Sequence, residues 1–251
     1  MDGKQLYKMK TFEGDFNKFL NKLKNKEPFS LSRWGDGELS ILEEKNLDLR
    51  EKGNGEFRYD KDIEIYQQLR KKMMDSYTHK DDEYYVGVAC PCCVGDEKYQ
   101  HMKTLSGQDE DHLTWANIFV NSNYPKFVDE FIPELNNHKI NLIVNEKSSL
   151  INIPFPVFPG LTVWYVGTDA WVTNYDLVEE ISDHIFDNDI NNEVFLIAAG
   201  PFANILTHKL WEVSTNNTYI DIGTVLDPYL GLKLTRGYLN GGATLNKTCV
   251  W

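Results

Sequence analysis

The sequence predicts an α/β fold: a mostly parallel sheet with helices on both faces. Two observations lead there. Short runs such as Val194-Phe195-Leu196-Ile197-Ala198-Ala199 are apolar from end to end, as strands buried on both sides are. These runs alternate with segments of helical periodicity, the pattern of strands joined by helical crossovers.

Taken in order, Phe12, Phe16, Phe19, Leu20 and Leu23 recur at helical spacing and predict a helix over 13–26, with Pro28 behind it as a stop. Residues 29–33 read as a strand. Leu39, Ile41 and Leu42 then open a helix for which Asp36 is the expected N-cap. Gly53-Asn54-Gly55 marks a turn, and Ile63, Ile65, Tyr66, Leu69 and Met73 predict a helix over 61–77. Tyr84 to Ala89 reads as a buried strand, and 97–137 as several helical stretches holding Trp115, Phe119, Phe127 and Phe131. In the second half, 140–144 and 161–166 read as strands and 171–187 as a helix with Leu177, Ile181 and Ile185 on one face. The strand at 194–199 is broken by Gly200-Pro201, a helix follows over 202–212, and Thr218 to Asp221 is the last strand. No internal repeat or Pro/Ser-rich linker interrupts the chain. One domain over 1–251 is expected, with the N-terminal helix and a tail at 231–251 as extensions.

The 251 residues are 41% hydrophobic and 13% aromatic, enough to build a packed core rather than a disordered chain. A net charge of −12 argues against a nucleic-acid or anionic-membrane surface, while leaving room for a local basic pocket. No apolar run approaches membrane-helix length, and residues 1–16 hold no leader-like apolar region, so a soluble cytoplasmic protein is expected. In that setting the sequons at Asn216 and Asn246 are chance matches, and four cysteines are too few for a disulfide framework.

The densest chemistry lies in Ser32-Arg33-Trp34-Gly35-Asp36-Gly37-Glu38, at the carboxyl end of a predicted strand, where open α/β sheets bind ligands. Arg33 offers a guanidinium fork for phosphate. Asp36 and Glu38 can converge on a hard cation such as Mg²⁺ or Mn²⁺. Gly35 and Gly37 allow close backbone approach, and Trp34 offers a ring for stacking. The plainer alternative is a capped turn beside a surface ion pair.

Further candidates occupy equivalent strand ends. Gly200-Pro201-Phe202 begins a helix whose free N–H groups can bind phosphate, although it is not a GxGxxG fingerprint. Asp221, Asp227, Glu146 and Asp169 are carboxylates that can serve a proton, a metal or a sugar hydroxyl, or simply cap loops. Trp115, Trp164, Trp171 and Tyr175 read mostly as core, while Arg236 and Tyr238 can close over a ligand. Cys90-Pro91-Cys92-Cys93, with His101 downstream, does not show the paired spacing of a structural zinc site, and Cys249 is far off. Adjacent cysteines rarely face one metal, so packing at a strand end is expected.

The ordered set resembles the GT-D-type glycosyltransferases, a family first catalogued as a domain of unknown function. Arg33 to Glu38 is similar to its arginine–aromatic–Gly-Asp-Gly-Glu signature. Val144-Asn145-Glu146, Thr168-Asp169-Ala170-Trp171, the segment Leu196 to Ala203, and Tyr219 to Gly223 resemble later elements in the same chain order. The resemblance implies a Rossmann-like domain that transfers a sugar, typically from UDP-glucose, to a glycan or other hydroxyl acceptor. It implies a nucleotide diphosphate and a divalent metal at Asp36 and Glu38; together with the readings above, Arg33, Trp34, Gly35, Gly37, Asp169, Gly200, Pro201 and Phe202 are expected toward the nucleotide sugar. Thr224 stands where the family places a histidine, and its downstream acid is shifted to Asp227. The acceptor base is open among Asp227, Asp221 and Glu146. A phosphoester hydrolase on the same carboxylates, or a non-catalytic nucleotide-binding module, is the alternative.

Overall fold

A computed structural model describes residues 11–51, 57–156 and 161–240. The Gly53–Gly55 turn, the Asn246 sequon and Cys249 lie outside the described residues. Helix α1 (Phe12–Asn25) begins where Thr11 Oγ1 accepts the Gly14 amide at 3.1 Å. It ends where Lys26 turns left-handed at φ 56°. Strand β1 (Ser30–Trp34) leads into α2 (Asp36–Leu42), and a short antiparallel pair, β2 (Leu47–Asp48) and β3 (Arg58–Tyr59), precedes α3 (Glu64–Thr78). Next come β4 (Tyr84–Val88), α4 (Pro91–Val94), α5 (Asp96–Ser106) and β5 (Leu113–Trp115). The chain then passes through α6 (Tyr124–Lys126), a π-helical turn at Phe127–Phe131 and α7 (Ile132–Leu135). The second half runs β6 (Ile140–Asn145), β7 (Thr162–Val166), α8 (Ala170–Thr173), α9 (Leu177–Asp187), β8 (Val194–Ile197), α10 (Pro201–Val213) and β9 (Thr218–Asp221).

Seven of these strands form one sheet in the order β5-β4-β1-β9-β8-β6-β7, and every neighbouring pair is parallel. The sheet is covered on both faces, so alternate residues of one strand enter different cores. Phe195 and Ile197 pack with α3, α9 and α10 on one face. Val194 and Leu196 pack with α1 and the 118–135 segment on the other. The predicted class is observed. Because all strands run the same way, their carboxyl ends share one edge, and the site forms there.

Three local expectations are corrected. The 97–137 region is not all helical: Leu113–Trp115 is the edge strand β5, three residues long and paired to β4, too short to show an alternation. The helix expected over 171–187 is two, because the Asn174 side chain turns back to accept the Gly167 amide at 3.0 Å. The N-cap of α2 is Gly35, and Asp36 is the first helical residue. No helix among the described residues is long and apolar enough to cross a membrane.

Candidate active site

A cavity of about 510 Å³ opens at the carboxyl edge of the sheet. Its wall includes Arg33 after the middle of β1, Ala89 beyond β4, Asn145 ending β6, Ala198 beyond β8 and Asp221 ending β9. Four carboxylates, Asp36, Glu38, Asp221 and Asp227, and two guanidiniums, Arg33 and Arg236, line it.

Arg33 is fixed through its backbone. Its amide donates to Asp221 Oδ2 at 3.3 Å, and its carbonyl accepts Asn204 Nδ2 at 2.9 Å. Its guanidinium lies 5.9 Å from the Phe119 ring centroid, and Nε and Nη1 are buried with no partner among the described residues. Desolvated donors facing no protein acceptor cost free energy, so this part of the cavity suits an acceptor-rich ligand.

Glu38 Oε2 accepts the Gly35 amide at 2.9 Å, closing the start of α2. Burial, then the charges of Asp221 and Asp36, push its carboxyl up to about 7. Asp221 is also raised by burial, against the opposing pull of Arg33. Both Asp221 oxygens are engaged: Oδ2 by Arg33 N and Oδ1 by Gly223 N at 3.0 Å. This carboxylate therefore clips the β9 turn to the end of β1.

Asp36 and Glu38 bring hard oxygen donors to one cavity wall, the donor type that a divalent cation such as Mn²⁺ or Mg²⁺ takes. The wall's formal charge is also negative, which would repel a diphosphate without such a counter-ion.

The remaining candidates separate cleanly. Gly35, Gly200 and Pro201 line the cavity, with Gly200 capping α10 at φ 56°. Asp227 lines it and is buried. Arg236 and Tyr238 line it too, and Thr224 Oγ1 lies 3.0 Å from the Tyr238 hydroxyl.

Trp34 does not reach the cavity: it is wholly buried, 4.5 Å from Tyr77 between ring centroids, with Nε1 donating to Ser32 Oγ. Odd and even positions of β1 face opposite cores, and Trp34 falls on the α3 side. Gly37 is also off the wall; a side chain there would meet Phe57 Cζ at 3.2 Å. Phe202 is core, and Glu146 is exposed outside the cavity wall.

Asp169 is occupied by the protein itself. It accepts Arg58 N at 3.0 Å, Tyr66 OH at 2.6 Å and Trp171 Nε1 at 2.8 Å.

Phe57, Asn117 and Asn121 also line the cavity, and sequence reasoning missed them; Cys93, expected to pack at a strand end, lines it too. Asn117 follows β5, so recognising that strand would have flagged its carboxyl end. The spacing argument against convergence of the cysteines is likewise corrected: the sulfurs of Cys90, Cys92 and Cys93 all lie within 4.8 Å of one another.

No protein-family model and no curated protein matches the chain. Solved structures do. One, described as the highly conserved domain of unknown function 1792 with a distinct glycosyltransferase fold, is 16% identical with a TM-score of 0.54, covering 84% of this chain and 77% of that one. A second, a glycosyltransferase of the same domain type from Streptococcus sanguinis, is 16% identical with a TM-score of 0.54, covering 84% of this chain and 80% of that one. The chain shares its fold with these proteins. At such identity the likeness speaks for the backbone and its strand order; the chemistry has to be argued from the cavity.

Proposed function

We propose that the protein is a metal-assisted glycosyltransferase, moving a hexose from a nucleotide diphosphate sugar such as UDP-glucose to a hydroxyl of a glycan or similar acceptor. The carrying observation is the Arg33 guanidinium, its Nε and Nη1 buried with no partner among the described residues, in the same cavity as Asp36 and Glu38. The shared fold with solved glycosyltransferases supports the same reading.

In this reading Arg33 takes the phosphate oxygens and stabilises the charge that grows on the leaving diphosphate. The N-terminal end of α10, opening at Gly200 and Pro201, faces the same anion with its positive dipole end. Asp36 and Glu38 would hold Mn²⁺ or Mg²⁺. When bound, that ion supplies Lewis-acid neutralisation of the diphosphate. Asp227 is the favoured acceptor base, because each oxygen of Asp221 already accepts a backbone amide and Glu146 stands outside the cavity.

The test is a thermal-shift panel of UDP and UDP-sugars with and without Mn²⁺, followed by sugar-transfer assays. A ligand that binds the folded state raises the melting temperature by mass action. A Mn²⁺-dependent shift by UDP, lost in Asp36→Ala/Glu38→Ala, is expected. No shift with any UDP compound would remove the reading, and phosphate release without transfer would replace it with a hydrolase.

A further inference from the structure

We propose that Cys90, Cys92 and Cys93 bind one thiophilic d¹⁰ metal ion of the Zn²⁺ class, at a site distinct from the Asp36–Glu38 carboxylates. The inference does not depend on the glycosyltransferase reading.

Strand β4 delivers Cys90, wholly buried, to the carboxyl edge of the sheet. Pro91 starts a single turn in which the amides of Cys93 and Val94 donate to the Cys90 carbonyl at 2.9 and 3.0 Å. That turn folds Cys93 back toward Cys90, so the two stand three apart like one half of a paired zinc motif. Cys92 adds a third sulfur, 2.8 Å from Cys90 Sγ. Sulfurs around a tetrahedral ion with bonds of about 2.3 Å sit about 3.8 Å apart. A triad lying within 4.8 Å brackets that spacing, so small side-chain rotations suffice.

The surroundings point the same way. Asn117 is only 6% exposed and its Nδ2 donates to Cys90 Sγ at 3.4 Å. An N–H donor to sulfur favours the thiolate, the form that binds metal. The Asn117 Oδ1 is buried with no partner among the described residues. Asn117 and Cys93 both line the large cavity. Three thiolates leave one tetrahedral position for a water.

Ligand chemistry separates the two metal sites. Thiolates select soft ions, while carboxylates suit Mg²⁺ and Mn²⁺. Loading the thiols releases their protons, so affinity rises with pH.

The experiment measures zinc per chain after reduction and dialysis of the full-length protein, and follows Co²⁺ titration by thiolate-to-cobalt charge-transfer absorption. One zinc per chain and a charge-transfer band are expected in the wild type and equally in Asp36→Ala/Glu38→Ala. Cys92 is exposed, so Cys92→Ser should fold normally by circular dichroism yet weaken zinc binding about tenfold or more. Cys93→Ser should behave alike. Wild-type protein that retains no zinc and gives no charge-transfer band overturns the proposal. So does a Cys92→Ser variant holding zinc as tightly as the wild type.

Discussion

Gly223 and Arg33 fit together only because Gly223 has no side chain. A Cβ built on Gly223 would lie 2.6 Å from Arg33 Nη2, and the residue sits at φ 53°, where a side chain is strained in any case. The Asp221 carboxylate joins the two by accepting both their amides. The final turn of the sheet edge is thus moulded around the guanidinium.

Gly223→Ala is therefore expected to move Arg33 as well as strain the turn. Backbone strain at such a position costs about 1–3 kcal/mol. Losing charge-assisted contacts to phosphate should weaken UDP binding by about 10- to 100-fold. Urea denaturation and calorimetric titration of UDP check the two parts. Undiminished UDP affinity in this variant would mean that Arg33 does not hold the phosphates.

Glu38 sets a pH dependence with a definite sign. Its folded value is about 7 against an ordinary 4.5, so between these the folded state binds more protons than the unfolded chain. Stability of the metal-free protein should fall as pH rises through that window, by up to about 3 kcal/mol from this group. Glu38→Gln should flatten the slope, and saturating Mn²⁺ should do so in the wild type. Denaturation midpoints from pH 4.5 to 7.5 decide it.

His208 acts in the opposite direction. It is buried beside His79, with ring centroids 4.6 Å apart, and burial lowers its value from 6.5 to about 4 against the pull of Glu212. The unfolded chain binds the proton first, so stability from this group should be lost as pH falls from about 6.5 toward 4. His208→Gln should reduce that acid sensitivity while leaving the Glu38 slope in place. Comparing the variants separates two effects that partly cancel in the wild type.

How much of this was legible in the sequence depended on length and on which side of a strand a residue falls. Buried strands such as Val194–Ile197 announce themselves because both faces need apolar residues. The three-residue β5 carries too little pattern to be told from helix, and with it went Asn117. Arg33 and Trp34 are neighbours with one motif signal, yet strand alternation sends one to the cavity and the other to the core. Asp169 has the composition of a ligand-binding acid, but its three donors come from Arg58, Tyr66 and Trp171, brought together by tertiary packing alone.

That arrangement makes Asp169 a test of structure against binding. Asp169→Ala strands three donors and puts a side chain other than Asn, Asp or Gly at φ 59°. A buried donor left unsatisfied costs about 1–3 kcal/mol, so a loss of about 3 kcal/mol or more is expected. Asp169→Asn keeps an acceptor and tolerates the left-handed backbone, and should lose less. In both, UDP affinity measured well below the melting temperature should change far less than stability does.

The three carboxylates eligible as acceptor base can be ranked by their place relative to the cavity. Glu146 is exposed outside the cavity, so Glu146→Gln should leave turnover unchanged. Asp221 accepts two backbone amides, so Asp221→Asn should damage stability and UDP binding together, as the clip between Arg33 and Gly223 fails. Asp227 is buried in the cavity wall beyond that clip, close to the Thr224–Tyr238 pair. If it takes the acceptor proton, Asp227→Asn should lower kcat by about 10²–10⁴ while UDP affinity and melting temperature stay near wild type. An Asp227→Asn variant of normal turnover would return the base to one of the other two, and the turnover of Glu146→Gln would then say which.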